Sequence, residues 1–391
     1  MAKLATALTD GVQSSIRAAR AGVTDAKLVM LFASPKHVLA DAVRAARESF
    51  PGAAVLGASS AGEFIESGDA KGAVSIAALE ADVRVHTGFS DGLRQDPEAA
   101  VARALAGLPR AISGYPHCTA ILLLDALSGV GEEAALLVAT ELGPHVKLAG
   151  GAAGDDLAMT KTIVAADGNA SADAIALALV FSKEPLGVGV SHGHLPVSEP
   201  MTVTEATGAE VRTIDGRPAW DVWKERTRAT AKAAGIDVDA LGPSEIGAYL
   251  LRYEAGLALG SAPSAGYKIR APLGVGADGS LSFACGIPTG AVIRITESQP
   301  ERQVESAVRA AAAAHESVGH QPVAGAIIFD CICRNLILGG TFGDAVRGMA
   351  KTLGDVPLAG FETYGEIALN AGDFSGFHNT TTVALVFPKG L

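Results

Sequence analysis

Two histidines at the end of an apolar segment have a spacing that directly suggests a ligand site. In LGVGVSHGHLP (186–196), His192 and His194 alternate with glycine, so an extended backbone places both imidazoles on one face. Their Cβ atoms would lie about 6.6 Å apart at the rise of a strand. This spacing suits one small metal ion or a single iron ligand, but it cannot place two ligands on opposite faces of a porphyrin. The alternative is a pair of hydrogen-bonded structural histidines.

A second candidate is the pair Cys331 and Cys333, which follows the apolar segment GAIIFD and precedes Arg334. On a strand the two sulfurs share a face, and a neighbouring guanidinium can lower a thiol pKa, so a nucleophile or redox pair is one interpretation. The chain has no Cys-x-x-Cys or zinc-ribbon spacing here. We favour the other interpretation, that these cysteines are small buried hydrophobic residues.

Three segments place glycines and an acid directly after an apolar run: GASSAGEF (57–64), GGAAGDD (150–156) and GFETYGEI (360–367). Aligning their glycines puts Glu63, Asp155 and Glu366 at corresponding positions. The carboxyl ends of parallel strands meet at one sheet edge, where α/β proteins bind ligands. We therefore predict a small-molecule site there, with capping of tight turns as the alternative. Its ligand-binding candidates are Ser59, Ser60, Glu63, Asp155, Tyr364, Glu366 and, from the later FHNTTT, His378.

These turns do not carry a nucleotide or hydrolase signature. GASSAGEF lacks the Lys-Ser/Thr of a phosphate-binding loop, and Gly-x-Ser-x-Gly is absent around Ser59 and Ser60. Because the chain shows no nucleophile, base and orienting residue together, we predict no catalytic activity. A cysteine-dependent enzyme is the alternative from another class. Trp220 and Trp223 are expected to pack a helix on a sheet or to form an oligomer contact.

The elements that position these residues recur three times, as strand, helix, strand with a glycine-acid turn, and closing strand. The copies start near residues 28, 120 and 325. Their helices are predicted from Ser34-Pro35, over 131–143 and near 342–353. Segments such as ILLLD are apolar at both parities, which is typical of strands covered on both faces. We predict an α/β fold with layered, mainly parallel or mixed sheets and helices, in two parts, 1–200 and 201–391.

Composition narrows the class of protein. Of 391 residues, 49% are hydrophobic and 19% charged, so the chain should fold. The net charge of -11 argues against nucleic acid and anionic membranes as partners. The chain has only four cysteines, too few for a disulfide framework, and it lacks a signal peptide and an apolar run of ~18–20 residues, so we predict a cytoplasmic protein. A homo-oligomer is compatible with these features.

Several segments together resemble the FIST family: the glycine-acid turns, AGGAAGDD, GVGVSHGHLP followed by VTEATGAEVRTIDGRPAW, and the closing CICRNLILG, GFETYGEI and FHNTTT. The resemblance covers an N-terminal FIST part over roughly 25–200 and a C-terminal part over roughly 215–370. It implies a cytoplasmic sensory domain that binds small molecules in signal transduction. It also implies a signalling partner such as a histidine kinase or a cyclic-dinucleotide enzyme. Some stand-alone members are haem proteins that sense nitric oxide.

That subgroup, together with the same-face histidines, leads us to predict haem b as the cofactor and nitric oxide as the signal. His194 is the predicted iron ligand, because Gly193 before it and Pro196 after it suggest a strand end that opens to a cleft. His192 is expected to lie deeper in the apolar run and to tune affinity. A sensor of an amino acid or similar metabolite, without haem, is the alternative in the same class.

Overall fold

The predicted alternation of strands and helices is present in the computed structural model of the protein, which describes residues 1–259, 266–370 and 376–391. The strands of the first half are β1 (Lys3–Thr9), β2 (Leu28–Ala33), β3 (Ala54–Ser59), β4 (Glu63–Ile65), β5 (Gly68–Ala70), β6 (Val74–Glu80), β7 (Val83–Asp91), β8 (His117–Leu124), β9 (Lys147–Ala152), β10 (Val164–Ala166), β11 (Asn169–Ser171) and β12 (Ala174–Ser182). Those of the second half are β13 (Gly187–His192), β14 (Leu195–Pro196), β15 (Met201–Thr207), β16 (Glu210–Ile214), β17 (Arg217–Pro218), β18 (Tyr253–Ala258), β19 (Tyr267–Arg270), β20 (Pro272–Val275), β21 (Leu281–Phe283), β22 (Val292–Glu297), β23 (Val323–Cys331), β24 (Leu358–Thr363), β25 (Glu366–Leu369), β26 (Phe377–His378) and β27 (Thr381–Pro388). The helices are α1 (Val12–Gly22), α2 (Leu39–Ser49), α3 (Pro97–Leu105), α4 (Gly131–Leu142), α5 (Ala219–Ala233), α6 (Pro243–Arg252), α7 (Pro300–Glu316), α8 (Ile332–Leu338) and α9 (Phe342–Thr352).

Three units repeat one arrangement around six-stranded sheets. The strand orders are β1-β6-β2-β3-β10-β11, β7-β12-β8-β9-β25-β26 and β13-β27-β23-β24-β4-β5. One pair per sheet is parallel, namely β2/β3, β8/β9 and β23/β24, and the other pairs among the described residues are antiparallel. The α/β class with mixed sheets is confirmed. The sheets are not mainly parallel, because each closing strand returns antiparallel between its neighbours.

Each unit gives its short hairpin to a neighbour. The hairpin β4–β5 of the first unit pairs with β24 of the third, β10–β11 of the second pairs with β3 of the first, and β25–β26 of the third pairs with β9 of the second. This cyclic exchange ties the three units together through backbone hydrogen bonds. Strand pairing therefore crosses the division at 200/201, which stays a prediction.

Helices cover the outer face of each sheet, and the inner faces share one core. Buried residues of α1 and α2 pack on the first sheet, those of α3 and α4 on the second, and those of α7 and α9 on the third. At the centre, Phe361 stacks on Phe32 with ring centroids 4.3 Å apart and meets Phe329 edge-on at 6.0 Å. Because each sheet is covered on both faces, its strands carry apolar residues at odd and at even positions.

A fourth sheet, β14–β22 with α5 and α6, is inserted in the third unit between β13 and α7. In the first two units the corresponding strand runs directly into its helix. Trp223 is buried in the core of this insertion, and Trp220 packs edge-on against Tyr249, as predicted for a helix face on a sheet. The glycines of β13 let α7 approach closely, since a Cβ at Gly189 would lie 2.1 Å from the Ala310 carbonyl oxygen.

Two local predictions differ from the structure. The first predicted helix begins at Leu39 rather than at Ser34-Pro35, because residues 35–36 form a turn and the Ser34 hydroxyl donates to the Asp156 carboxylate at 2.7 Å. The segment after Cys331 is the helix α8, so Cys333 lies on a helix and not on the strand. No helix within the described ranges is long and apolar enough to cross a membrane.

Candidate functional site

The turns that follow the parallel strands β3, β9 and β24 contact one another, although these strands belong to three sheets and not to the single sheet edge that was predicted. The Gly154 N–H of the second unit donates to the Ser59 carbonyl of the first at 2.9 Å. The Ala61 N–H of the first donates to the Glu362 carbonyl of the third at 3.0 Å. The three glycine-acid segments are therefore neighbours in space.

Their acids are not equivalent, however. The strand registers place Glu63 and Glu366 at the same position, at the start of β4 and of β25. In the second unit that position, at the start of β10, is occupied by Val164. The predicted correspondence of Asp155 is therefore wrong, because Asp155 lies earlier, within the longer connection 153–163.

Glu63 and Glu366 hold their own turns together. Glu63 is fully buried, accepts from the Ser60 hydroxyl and from the Ala73 N–H at 2.9 Å, and burial raises its pKa to about 7. Glu366 is also fully buried, accepts from the Thr363 hydroxyl at 2.5 Å, and burial raises its pKa well above the ordinary value. These contacts favour the turn-capping interpretation for Ser60, Glu63 and Glu366.

Arg334 does not activate a thiol. Its buried guanidinium donates to Asp330 at 2.5 Å, to the Ser306 hydroxyl at 2.7 Å and to the Gln303 side chain. Burial, and next the neighbouring Cys333 thiol, raise the pKa of Cys331 well above its ordinary value. The guanidinium is already paired, and Cys331 is 3% exposed, which agrees with the favoured interpretation of a small buried residue.

The two histidines lie side by side, with ring centroids 5.9 Å apart. His192 Nε2 contacts the Tyr267 carbonyl at 3.1 Å, and its Nδ1 accepts from the His194 N–H at 3.3 Å, so the ring is neutral with the proton on Nε2. Burial lowers the pKa of His192 to about 4. The order of depth is the reverse of the prediction, because His194 is 3% exposed whereas His192 is half-buried.

His194 faces a buried carboxyl that the sequence did not reveal. Its Nε2 lies 3.5 Å from Glu254 Oε2, and Thr380 donates to Glu254 Oε1 at 2.9 Å. Burial raises the pKa of Glu254 to about 8 and lowers that of His194, so both groups are neutral at pH 7. Neither histidine lines the two cavities described below. A porphyrin on Nε2 of His194 would have to displace Glu254, which lies 3.5 Å away. The described residues fit a structural pair better than a haem ligand, and haem stays a prediction.

Asp155 organises the connection 153–163, which we call the unit-two loop. Its carboxylate accepts from the Tyr364 hydroxyl at 2.6 Å and from the backbone N–H groups of Met159, Thr160 and Lys161 at 2.9, 2.7 and 2.9 Å. Burial alone would raise the pKa of this carboxyl, but those donors hold it below its ordinary value. The loop is therefore fixed by an ionised carboxylate.

The backbone of this loop is strained. Asp156, Leu157 and Met159 have φ angles of 54°, 64° and 52°, a region that non-glycine residues rarely occupy. Leu157 and Met159 also expose 43% and 53% of their surface, although both are large and apolar. Backbone strain of this kind concentrates at ligand and switch sites.

These exposed side chains border a cavity of about 270 Å³, which we call the loop cavity. It lies between the unit-two loop, the start of α8 and the inserted sheet. Its aliphatic lining consists of Ala126, Leu127, Leu157, Met159, Ala271, Leu273, Ala284 and Ile332. Its polar lining consists of Cys331, Cys333, Tyr364 and Asn379. An apolar cleft with a few polar groups is the usual form of a small-molecule site.

The remaining predicted residues lie elsewhere. Ser59 and Asp155 line a second cavity of about 380 Å³ on the other side of the unit-two loop, next to His37. His378 is held by the Ala368 carbonyl, 3.2 Å from its Nε2, and burial lowers its pKa to about 3. Of the predicted ligand-binding residues, Tyr364 alone appears in the described lining of the loop cavity.

The aliphatic lining was missed by sequence reasoning, whereas Asn379 is one of two polar residues in FHNTTT that could contact a ligand. Asn379 stands beside His378 in FHNTTT, where a polar pair next to a strand was the available signal. The aliphatic residues come from four distant parts of the chain, so no local pattern joins them. Exposed apolar residues are recognised only once the fold is known.

Two protein-family models match consecutive parts of the amino-acid sequence. The FIST N domain matches residues 27–217, and the FIST C domain matches residues 219–369. A search of curated proteins gives no match. The two matches follow each other in order and together span most of the chain, as the resemblance predicted. The chain belongs to the FIST family.

Proposed function

We propose that this protein is a small-molecule sensor of signal transduction whose ligand occupies the loop cavity. FIST domains are sensors of small ligands that act in signalling, which gives the functional class. One observation carries the assignment to this place: an apolar cavity whose wall is a strained loop bearing exposed Leu157 and Met159. Strain of this kind costs free energy, and a bound ligand can offset that cost through contacts with the loop.

The position of the loop cavity suits a sensor because three parts of the molecule form it. Tyr364 belongs to the third unit, Leu157 to the second and Leu273 to the inserted sheet. A ligand that contacts all three favours the conformation in which they are close. The differential affinity for that conformation would be the signal to a partner, such as a histidine kinase or a cyclic-dinucleotide enzyme.

The absence of catalysis is part of this proposal. The pKa of Cys331 is raised by burial, and the nearest guanidinium, that of Arg334, is engaged with Asp330. A thiol in this environment is a poor nucleophile at neutral pH. Thioester or ester turnover that is lost in Cys331→Ser or Cys333→Ser would favour the enzyme alternative.

A thermal-shift screen of small metabolites against the whole chain tests the proposal. Each hit is measured again with Ala284→Phe, which fills the loop cavity from its exposed rim, and with Leu136→Phe, a matched change at an exposed position of α4. We expect Ala284→Phe to abolish the shift and Leu136→Phe to retain it. Compounds whose thermal shift is the same in Ala284→Phe as in wild type would bind elsewhere and would contradict the proposal.

A more specific proposal is that the sensor binds haem and detects nitric oxide, and this proposal is tested separately. Protein purified from haem-replete cells would show a Soret band that is lost or moved in His194→Ala if this histidine is the ligand, or in His192→Ala if its neighbour is. Spectra that do not change in either variant would remove this strand as the source of the ligand. An amino acid sensor is the remaining alternative, and the screen above includes amino acids.

A further inference from the structure

The lining of the loop cavity carries no charged side chain among the residues that the structure describes. Its polar atoms belong to two thiols, the Tyr364 phenol and the Asn379 amide. Burial raises the pKa of Tyr364 above its ordinary value, so the phenol stays neutral. The pKa of Cys331 is raised in the same way. A ligand in this cavity therefore meets a neutral surface.

Two acids near the cavity, Asp155 and Asp330, are already paired with protein atoms. Asp155 accepts from the Tyr364 hydroxyl and from backbone N–H groups of its own loop. Asp330 is bound by Arg334, whose other donors reach Ser306 and Gln303. Neither ion is available as the partner of a ligand charge. Burying a charge without a partner is strongly unfavourable, so the cavity selects against charged ligands.

The Asn379 amide of the lining keeps hydrogen-bonding capacity. The Tyr364 oxygen is used twice, since it donates to Asp155 and accepts from the Leu157 N–H at 2.7 Å. Asn379 Oδ1 accepts one long bond, from the Ala271 N–H at 3.4 Å, and an amide oxygen has two lone pairs. A ligand with one N–H or O–H group can use the second lone pair.

Cavity size limits the ligand further. An apolar cavity of about 150 Å³ holds benzene. The loop cavity, at about 270 Å³, is larger than that but lies just below the usual range for drug-sized ligands. A bicyclic aromatic compound is the size that matches.

We propose that the ligand of the loop cavity is an uncharged, mostly apolar small molecule with a single hydrogen-bond donor, in the class of indoles and phenols. This inference rests on the proposed function and specifies its ligand chemistry. It disfavours zwitterionic amino acids, whose two charges would find no partner in the lining.

Calorimetric titration of the whole chain with indole, 1-methylindole and L-tryptophan tests the inference. The three share one bicyclic ring, and they differ in the N–H donor and in the charged groups. We expect indole to bind at least about tenfold more tightly than tryptophan, and 1-methylindole several-fold more weakly than indole, because methylation removes the donor. Ala284→Phe should abolish indole binding, and Leu136→Phe should retain it.

The outcomes separate this inference from the proposed function. Tryptophan binding as tight as indole binding, and abolished by Ala284→Phe, would overturn the neutral-ligand inference while the loop cavity remains the site. Indole binding that Ala284→Phe leaves unchanged would overturn both. If neither indole nor 4-methylphenol binds at millimolar concentration, while a charged hit from the metabolite screen is sensitive to Ala284→Phe, the inference fails and the proposed function holds.

Discussion

The turns after β3 and β24 and the unit-two loop after β9 occupy the same place in three repeated units, yet they are built differently. The first two connect their strands through residues 60–62 and 364–365, and a buried glutamate holds each of them. The unit-two loop runs over 153–163, and Val164 follows it at the position that the glutamate occupies in the other two units. Where the buried acid is missing, the connection is long, strained and next to a cavity.

This difference indicates which parts of the repeat serve the fold and which serve ligand binding. The short turns are closed by buried carboxyls whose pKa values are raised by burial, and these carboxyls accept from hydroxyl and N–H donors. The unit-two loop is held by one ionised carboxylate at its start and leaves Leu157 and Met159 partly exposed. A ligand site is expected where the repeated pattern is interrupted, because the residues of that segment are not needed to close a buried turn.

Among the replacements considered, that of Asp155 should have the largest effect on the unit-two loop and on ligand binding. Asp155→Ala removes the acceptor of the Tyr364 hydroxyl and of three backbone N–H groups at once. We expect a loss of roughly 1–3 kcal/mol in the free energy of unfolding and loss of ligand binding, because the loop no longer keeps its shape. Denaturant unfolding and amide exchange of residues 156–161 measure the two effects.

Asp156→Asn is the control for Asp155→Ala, since asparagine tolerates a positive φ and retains an acceptor for Ser34. It should change stability and binding little. Equal losses in the two variants would show that Asp155 has no special role in holding the loop.

Glu254 lies on β18 of the inserted sheet and contacts His194, and its replacement should change the pH dependence of stability. Its pKa is raised by burial from 4.5 to about 8, so the folded state retains a proton that the unfolded chain loses. Stability therefore falls as the pH rises from about 4.5 to about 8. Glu254→Gln keeps a neutral donor toward His194 and should gain stability over wild type with rising pH, by an amount on the order of a few kcal/mol at pH 8 and little at pH 5.

The exposed Glu301 provides the matched control, because Glu301→Gln removes an acid from the surface of α7. The stability of this variant, measured over the same pH window, is the reference for the loss of a surface acid. A Glu254→Gln curve parallel to that of wild type would mean that Glu254 is ionised in the folded protein at neutral pH.

Much of the fold was readable from the sequence, but the site was not. Apolar runs at both parities identified β2, β8 and β23, and the repeat of glycine-acid turns identified three related units. The hairpin exchange was not predictable, because strands of three residues such as β4 and β10 carry no periodicity. The alignment of the glycines gave the wrong position for Asp155, because a sequence alignment does not contain the strand register, which places Val164 there.

The histidine pair shows a second limit. The alternation in GVGVSHGH correctly placed both rings on one side, but depth depends on what covers the strand end. The inserted sheet brings Glu254 and Tyr267 over that end, and each lies at least 60 residues along the chain from the histidine it contacts. Burial created by distant segments has no local signal in the sequence.

The smallest expected effect separates strain from packing at the loop cavity. Leu157 and Leu273 both line the cavity and are both partly exposed, but Leu157 has a φ of 64° whereas Leu273 lies on β20. Leu157→Gly removes the strain, so we expect the free energy of unfolding to stay the same or to rise by up to about 1 kcal/mol, while indole affinity falls several-fold because an apolar wall is lost. Leu273→Gly removes an equal wall without relieving strain and should lower both stability and affinity. Equal destabilisation by the two changes, measured by denaturant unfolding, would show that the loop stores no strain and that packing alone determines its shape.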